Sequence, residues 1–357
     1  MWIKIHKNQP FTYINAQVKH IIKGKSAPHD ISTPTAAAVR WLQVSDEDAG
    51  QRLDNFLMRH LKGVPKTHVY RIIRSGEVRI NKGRCSADTR VQSGDSVRVP
   101  PVRMAEKPAN APAAPGREFP ILFEDEHFLA IDKPAGVAVH GGSGVSFGVI
   151  EQLRRARPQA KFLELVHRLD RETSGILLVA KKRSALKALQ DQFRERSTGK
   201  TYLALVQGRW PEQKKVIDVP LHKYLLPDGE RRVRTTTADD PDAMRALTLV
   251  RMRTQLPPRP LQGLPAMSLL EVTIKTGRTH QIRVHLASQG HGIVGDDKYG
   301  DFELNKRLPR QGLKRMFLHA WRLQLQHPAT GEALTLLAEL PAELADFVTT
   351  RDKESAS

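Results

Sequence analysis

The clearest periodicity in the chain is set by Leu53, Phe56, Leu57 and Leu61, which recur at i, i+3, i+4 and i+8 and predict an amphipathic helix. A second helix is predicted over about 66–74, with Ile72 and Ile73 inward, Arg71 and Arg74 on the opposite face, and Gly76 as its stop. Val78–Gly83 then reads as strand and turn, and Val97–Val99, after Gly94-Asp95, as a further strand. Together these make a small α+β unit over about 41–100.

From about residue 121 the pattern changes. Ile121–Phe123 and Phe128–Ile131 flank the polar run 124–127 and predict a hairpin. Further strands are expected at 176–180, 201–206, 247–251, 269–275 and 317–325. Helices are expected at 184–194 and 279–288, the second stopped by Gly290. Strands grouped with helices, without strict alternation, predict a mixed α+β sheet over 121–348. A tail is expected at 349–357, and Pro257–Pro265 reads as a surface insertion between two strands. There is no internal repeat.

Composition adds a partner to this outline. The 357 residues suit two domains better than one. Lys plus Arg number 57 against 38 acids, a formal charge of +19, which points to a polyanionic partner. No apolar run approaches the roughly 18–20 residues that span a bilayer, and the N-terminus lacks the pattern of a secretory signal. Between Arg59 and Arg84 lie eight cations (Arg59, Lys62, Lys66, Arg71, Arg74, Arg79, Lys82 and Arg84) against the single acid Glu77. That is the footprint of a phosphate-contacting surface, which assigns RNA binding to Lys66, Arg71, Arg74, Arg79, Lys82 and Arg84. The lone Cys85 forms no internal disulfide and no multi-cysteine zinc site; it reads as a packing residue of a cytoplasmic protein. Residues 1–40 carry Pro10, Pro28 and Pro34 without a sustained period and are expected to form a mobile extension. Six prolines and five alanines between 100 and 120 mark residues 101–120 as a linker.

Several chemistries are excluded by their missing parts. No Walker loop or Gly-x-Gly-x-x-Gly follows a strand. A nucleophile elbow after His140 would need glycine where Val145 stands. His280 and His285 are five apart, out of register for the i, i+4 zinc pair. Chemistry without metal or cofactor is left. Its strongest candidate is Val166-His-Arg-Leu-Asp-Arg-Glu-Thr-Ser-Gly175, which leads into the apolar strand 176–180. There Asp170 stands between Arg168 and Arg171, and a carboxylate so placed keeps its charge under partial burial if a cation pairs with it.

Three segments, His167-Arg-Leu-Asp-x-x-Thr-Ser-Gly, Lys200-Thr-Tyr202 and Thr276-Gly-Arg-Thr-His-Gln-Ile-Arg283, resemble the signatures of the RluA family of pseudouridine synthases. Asp132-Lys-Pro-Ala-Gly-Val and Gly295-Asp-Asp-Lys-Tyr-Gly300 match as well. The stretches Ala49–Leu57, Lys66–Arg74 and Ser75–Gly83 resemble the S4 RNA-binding domain. The resemblance implies an S4 domain joined to a catalytic domain with a mixed, largely antiparallel sheet flanked by helices. It implies isomerisation of specific uridines in 23S ribosomal RNA, free or in an assembling large subunit, by a cytoplasmic monomer using no cofactor, metal, DNA or membrane. Asp170 would be the catalytic aspartate, as nucleophile at the ribose C1′ or base at C2′. Tyr202 would pack on the uracil and help remove the C5 proton, and Arg283 would pair with Asp170. Arg168 would enter the RNA stack, with His167, Arg278 and Lys200 as further substrate contacts. The competing readings are a non-catalytic S4 assembly factor, the same chemistry on another RNA such as tRNA, and a serine hydrolase.

Overall fold

The structure, a computed structural model, describes residues 38–46, 48–61, 63–102, 114–142, 147–227 and 229–353. Most of the N-terminal extension, Lys62, the centre of the linker, the 143–146 loop that includes Val145, and residues 354–357 lie outside these. The chain divides into two compact units at residues 109 and 110.

The first unit runs β1 (Arg40–Gln43), α1 (Leu53–His60), α2 (Lys66–Arg74), β2 (Arg79–Ile80) and β3 (Ser96–Val99). Its three strands lie in the order β1-β3-β2, all antiparallel. Leu53, Phe56, Leu57 and Leu61 are buried and pack with Val69, Ile72 and Ile73 of α2 and Val97 and Val99 of β3. The apolar stripe is thus the core, and α2 has the bounds its pattern predicts. Gly76 ends α2 with φ +76 and its N–H on the Ile73 carbonyl, a left-handed stop that glycine takes without a Cβ penalty. Arg40 belongs to β1, so the unit begins one residue inside the stretch read as an extension. Cys85 is half-buried against this core, with its Sγ on the Val78 carbonyl.

The second unit contains β4 (Ile121–Glu124), β5 (Phe128–Lys133), α3 (Val149–Ala156), β6 (Glu164–Leu165), β7 (Ser174–Ala180), α4 (Arg183–Glu195) and β8 (Gly199–Gln207). It continues through β9 (Val216–Asp218), β10 (Leu221–Leu225), β11 (Arg231–Thr235), β12 (Leu247–Leu256), β13 (Met267–Ile274), α5 (Gln281–Ser288), α6 (Phe302–Arg307), β14 (Leu318–Gln326), β15 (Ala333–Leu337) and α7 (Ala342–Lys353). Ten of the strands among the described residues form one sheet, β4-β5-β7-β14-β8-β13-β12-β9, with β15 on β14 and β6 on β7. Every pairing is antiparallel except β7 with β14. All seven residues of β7 are buried, as a central strand covered on both faces requires.

Several boundaries differ from those the sequence predicts. α7 crosses residue 348, where a tail was expected, and runs to Lys353. α5 starts at Gln281 because His280 takes a left-handed conformation, φ +53. The end of the expected linker packs on the catalytic unit: Phe119 is buried and Arg117 N–H bonds the Gln152 carbonyl. The Pro257–Pro265 segment is a surface connection between β12 and β13, with Leu261 fully exposed at its tip.

Candidate active site

Four elements converge on Asp170. The 166–173 loop between β6 and β7 carries it, β8 carries Tyr202, α5 carries Arg283, and the loop before α6 carries Asp296 and Tyr299. Two features of the sheet set the geometry. β14 bulges at Trp321, between Ala320, which pairs with Tyr202, and Arg322, which pairs with Thr201; bulges of this kind re-aim side chains beside functional sites. Gly175, at φ +106, lies so close to the Ala320 backbone that a Cβ would collide with it. The 166–173 loop therefore enters β7 through a position only glycine fits.

The loop is also held from beneath. The Lys133 side chain is fully buried, and its Nζ donates to the carbonyls of Pro134 and Val137 at 2.8 Å and of Arg171 at 3.1 Å. This one ammonium ties the 133–137 turn to the residue next to Asp170. Burial, helped by the Arg315 charge, brings its pKa down to about 7.

Arg283 is buried and clamps Asp296 with two hydrogen bonds, Nε to Oδ2 at 2.7 Å and Nη2 to Oδ1 at 2.6 Å. Its Nη1 lies 3.6 Å from Asp170 Oδ2. Burial works against the charge, but the bonds to Asp296 and the carboxylates around it outweigh that, and the guanidinium holds its proton more tightly than usual. His280 Nε2 stands 3.9 Å from the same oxygen, Asp170 Oδ2. Tyr299 Oη receives the Val233 N–H at 3.1 Å and lies 2.9 Å from His280 Nδ1. The contact with Tyr299 fixes the orientation of the imidazole, with Nε2 on the side of Asp170. Gln281 braces the start of α5, accepting from the Thr276 hydroxyl and the Arg278 N–H and donating to Leu247 O and Thr248.

Asp170, with a side chain 23% exposed, borders two adjoining cavities of about 490 and 360 Å³. Tyr202, Ile274 and Leu318 give the larger one an apolar side. The Tyr202 phenol has no hydrogen-bond partner among the described residues, and burial, then the Asp170 charge, pushes its pKa above the usual range. Arg168 is exposed at the mouth with Arg194, Arg196 and Lys275. Arg278 reaches the same wall, its Nε on the Arg245 carbonyl.

His167 and Lys200 line the larger cavity but are engaged with the protein. The His167 ring stacks on Phe193, centroids 4.7 Å apart, and Nε2 accepts the Leu178 N–H; burial lowers its pKa to about 4. Lys200 donates to Thr198 Oγ1 at 2.9 Å, and burial, with Lys275 and Arg196 adding, brings it down to about 8. Both act here as walls.

In the first unit Lys66, Arg71, Arg74, Lys82 and Arg84 are exposed and Arg79 is half-exposed. The sequence reading passed over Asp296, Tyr299, Lys133 and Gln281 as individual site residues. All four lie in stretches that the sequence analysis quotes, so the signal is present in the chain without a contact to interpret it.

The arrangement is a carboxylate oxygen faced by a fixed guanidinium and an imidazole, beside an aromatic ring, in a cleft with a cationic rim. Comparison with known proteins shows the family of the chain. Residues 127–288 match the family model described as RNA pseudouridylate synthase, and residues 51–97 match the S4 domain. The chain belongs to the RNA pseudouridylate synthase family and carries an S4 domain ahead of the catalytic one. It is 50% identical over 313 residues to the ribosomal large subunit pseudouridine synthase C of Pasteurella multocida, covering 86% of this chain and 92% of that one. With the synthase C of Escherichia coli (strain K12) it shares 47% over 310 residues, covering 85% and 93%. Among solved structures, human RNA pseudouridylate synthase domain containing 4 matches at 27% identity and TM-score 0.51, over 65% of this chain and 93% of that one. The human domain containing 1 matches at 26% and 0.52, over 66% and 87%.

Proposed function

We propose that the chain converts specific uridines of 23S ribosomal RNA, free or in an assembling large subunit, to pseudouridine, acting as a cytoplasmic monomer. The observation that carries this is Asp170 itself, set at the junction of two cavities, with Arg283 at 3.6 Å and the Tyr202 ring in the adjoining wall. Among the described residues no helix is long and apolar enough to cross a membrane.

A uridine inside a stacked RNA is out of reach, so the target leaves the stack at a cost of a few kcal/mol. Stacking on an aromatic face such as Tyr202 returns about 1–3 kcal/mol, and Arg168 fills the gap left behind. The N1–C1′ bond then breaks, the uracil turns, C5 bonds to C1′, and the C5 proton leaves. Asp170 serves either as nucleophile at C1′ or as base at C2′; both routes need the fixed carboxylate, and neither needs an oxidant or a hydrolytic water. Preorganised charge beside the reacting atoms supplies most of the rate. The exposed cations of the S4 unit hold the RNA by its phosphates.

The test is tritium release from 23S rRNA transcribed with [5-³H]uridine, comparing wild type with Asp170→Asn. Release by wild type, lost in the variant while RNA binding persists, is the expected result. No release from free rRNA or precursor particles would leave a binding protein or move the substrate to another RNA.

A further inference from the structure

Beside the catalytic cleft lies a recess that the chemistry above does not use. Phe302, the first residue of α6, is 69% exposed, the most exposed aromatic side chain among the described residues. Lys306 Nζ sits 4.4 Å from its ring centroid. Behind the ring a cavity of about 280 Å³ has an apolar floor of Leu308, Pro309 and Leu313. Lys314 edges the cavity, is exposed, and makes no hydrogen bond or ion pair among the described residues. Asp297 lines both this recess and the smaller cavity that Asp170 and Arg283 share, so the two are neighbours on one surface.

A single exposed apolar residue needs no explanation. An exposed ring over an apolar recess, flanked by two lysines and continuous with the catalytic cleft, is a different object. It combines an aromatic face with cations, as in sites that hold single-stranded nucleic acid. Resting on the reading of this chain as a base-flipping RNA enzyme, we propose that the recess receives a nucleotide of the strand flanking the target uridine. Its base lies against Phe302 and the apolar floor, and its phosphate lies on Lys314 and Lys306. Lys306 gives up an exposed pair with Glu303, worth little in water, and the base takes the face of the ring that its ammonium leaves open. The Asp297 carboxylate at the junction repels phosphate and accepts from a base edge, which turns the base toward the catalytic side. The physical need is specific: extruding one base disturbs the strand on both sides of the gap that Arg168 fills, and a flanking nucleotide so unstacked finds a new partner in the ring.

The test combines turnover with a direct probe of the recess, using the full chain. Phe302→Ala is expected to raise KM in the tritium assay roughly tenfold, the loss falling on KM, with Phe302→Tyr restoring it. Lys314→Ala raises KM and lowers the slope of log affinity against log salt by about 1. A 2-aminopurine beside the target in an rRNA fragment is quenched by wild type and not by Phe302→Ala. An unchanged KM in Phe302→Ala, a loss in kcat alone, or equal quenching by both proteins would overturn the proposal. Because quenching reads binding without turnover, a wild type that releases no tritium ends the enzymatic reading while the recess is still decided by the probe.

Discussion

Arg283 offers Asp170 the nitrogen that Asp296 leaves unused. Nη1 faces Asp170 Oδ2 at 3.6 Å while Nε and Nη2 are committed to Asp296 at 2.7 and 2.6 Å. A lone arginine on a helix swings about its long side chain; this one is fixed from behind by a buried carboxylate, so the charge that Asp170 meets has one position.

Asp296→Asn leaves the guanidinium without its buried counter-charge. The expected loss of stability is about 3 kcal/mol, since breaking one side of a buried pair strands the other. Urea denaturation checks it, with Asp170→Asn as the comparison that unfolds near the wild-type midpoint. An Asp296→Asn protein as stable as wild type would mean that Asp297 alone holds Arg283.

Tyr202→Phe keeps the ring and removes the phenol oxygen. The variant is expected to bind RNA as wild type does and to lose roughly 10²–10⁴ in kcat if the hydroxyl takes part in removing the C5 proton. Tyr202→Ala loses affinity as well. Single-turnover tritium release beside filter binding separates the two, and a fully active Tyr202→Phe confines the residue to stacking.

Acid stability reports on His319, which is buried with Nδ1 accepting from Ser174 at 2.8 Å and Nε2–H donating to the Ala338 carbonyl at 2.9 Å. Burial lowers its pKa to about 4 from an ordinary value near 6.5. The unfolded chain therefore binds a proton that the folded one refuses between those values. Stability is full above about pH 6.5 and falls as the pH drops toward 4, by up to about 3 kcal/mol from this residue. His319→Gln flattens that part of the profile; an unchanged slope between pH 4 and 6.5 would assign the acid loss elsewhere.

Arg71→Ala with Arg74→Ala tests the S4 surface. The pair of changes is expected to weaken rRNA binding about equally across sequences and to reduce the salt slope by about 2, while kcat at saturating RNA persists. A change in which uridines are modified would instead give these residues a part in target choice.

What the sequence revealed follows how local each signal is. α1 and α2 were legible because their apolar positions repeat on the helical period and because Gly76 marks a stop. β7 was legible because residues 176–180 form an unbroken apolar run within it. The hairpin of β10 and β11 was not, since Lys223, Arg231 and Arg234 leave it little alternation and its stability comes from partners such as Tyr299 Oη. Asp170 stood out by its motif. Asp296 did not, because its meaning lies in a contact with Arg283 thirteen residues earlier in the chain, which no spacing rule announces. The start of α5 was misplaced by two residues because a left-handed histidine is invisible to periodicity.

The charge pattern of the cleft sorts the parts of a nucleotide. Arg283 faces three carboxylates, Asp170, Asp296 and Asp297, which offset its charge at the floor of the cleft, while Arg168, Arg196 and Lys275 at the mouth face none of them. A phosphate is drawn to the cations of the rim, while at the floor the charge of Arg283 is already taken up by carboxylates. Uracil, the uncharged part of the nucleotide, is under no such pull. The same field that captures the RNA thus acts as a filter that admits the base and keeps the backbone out.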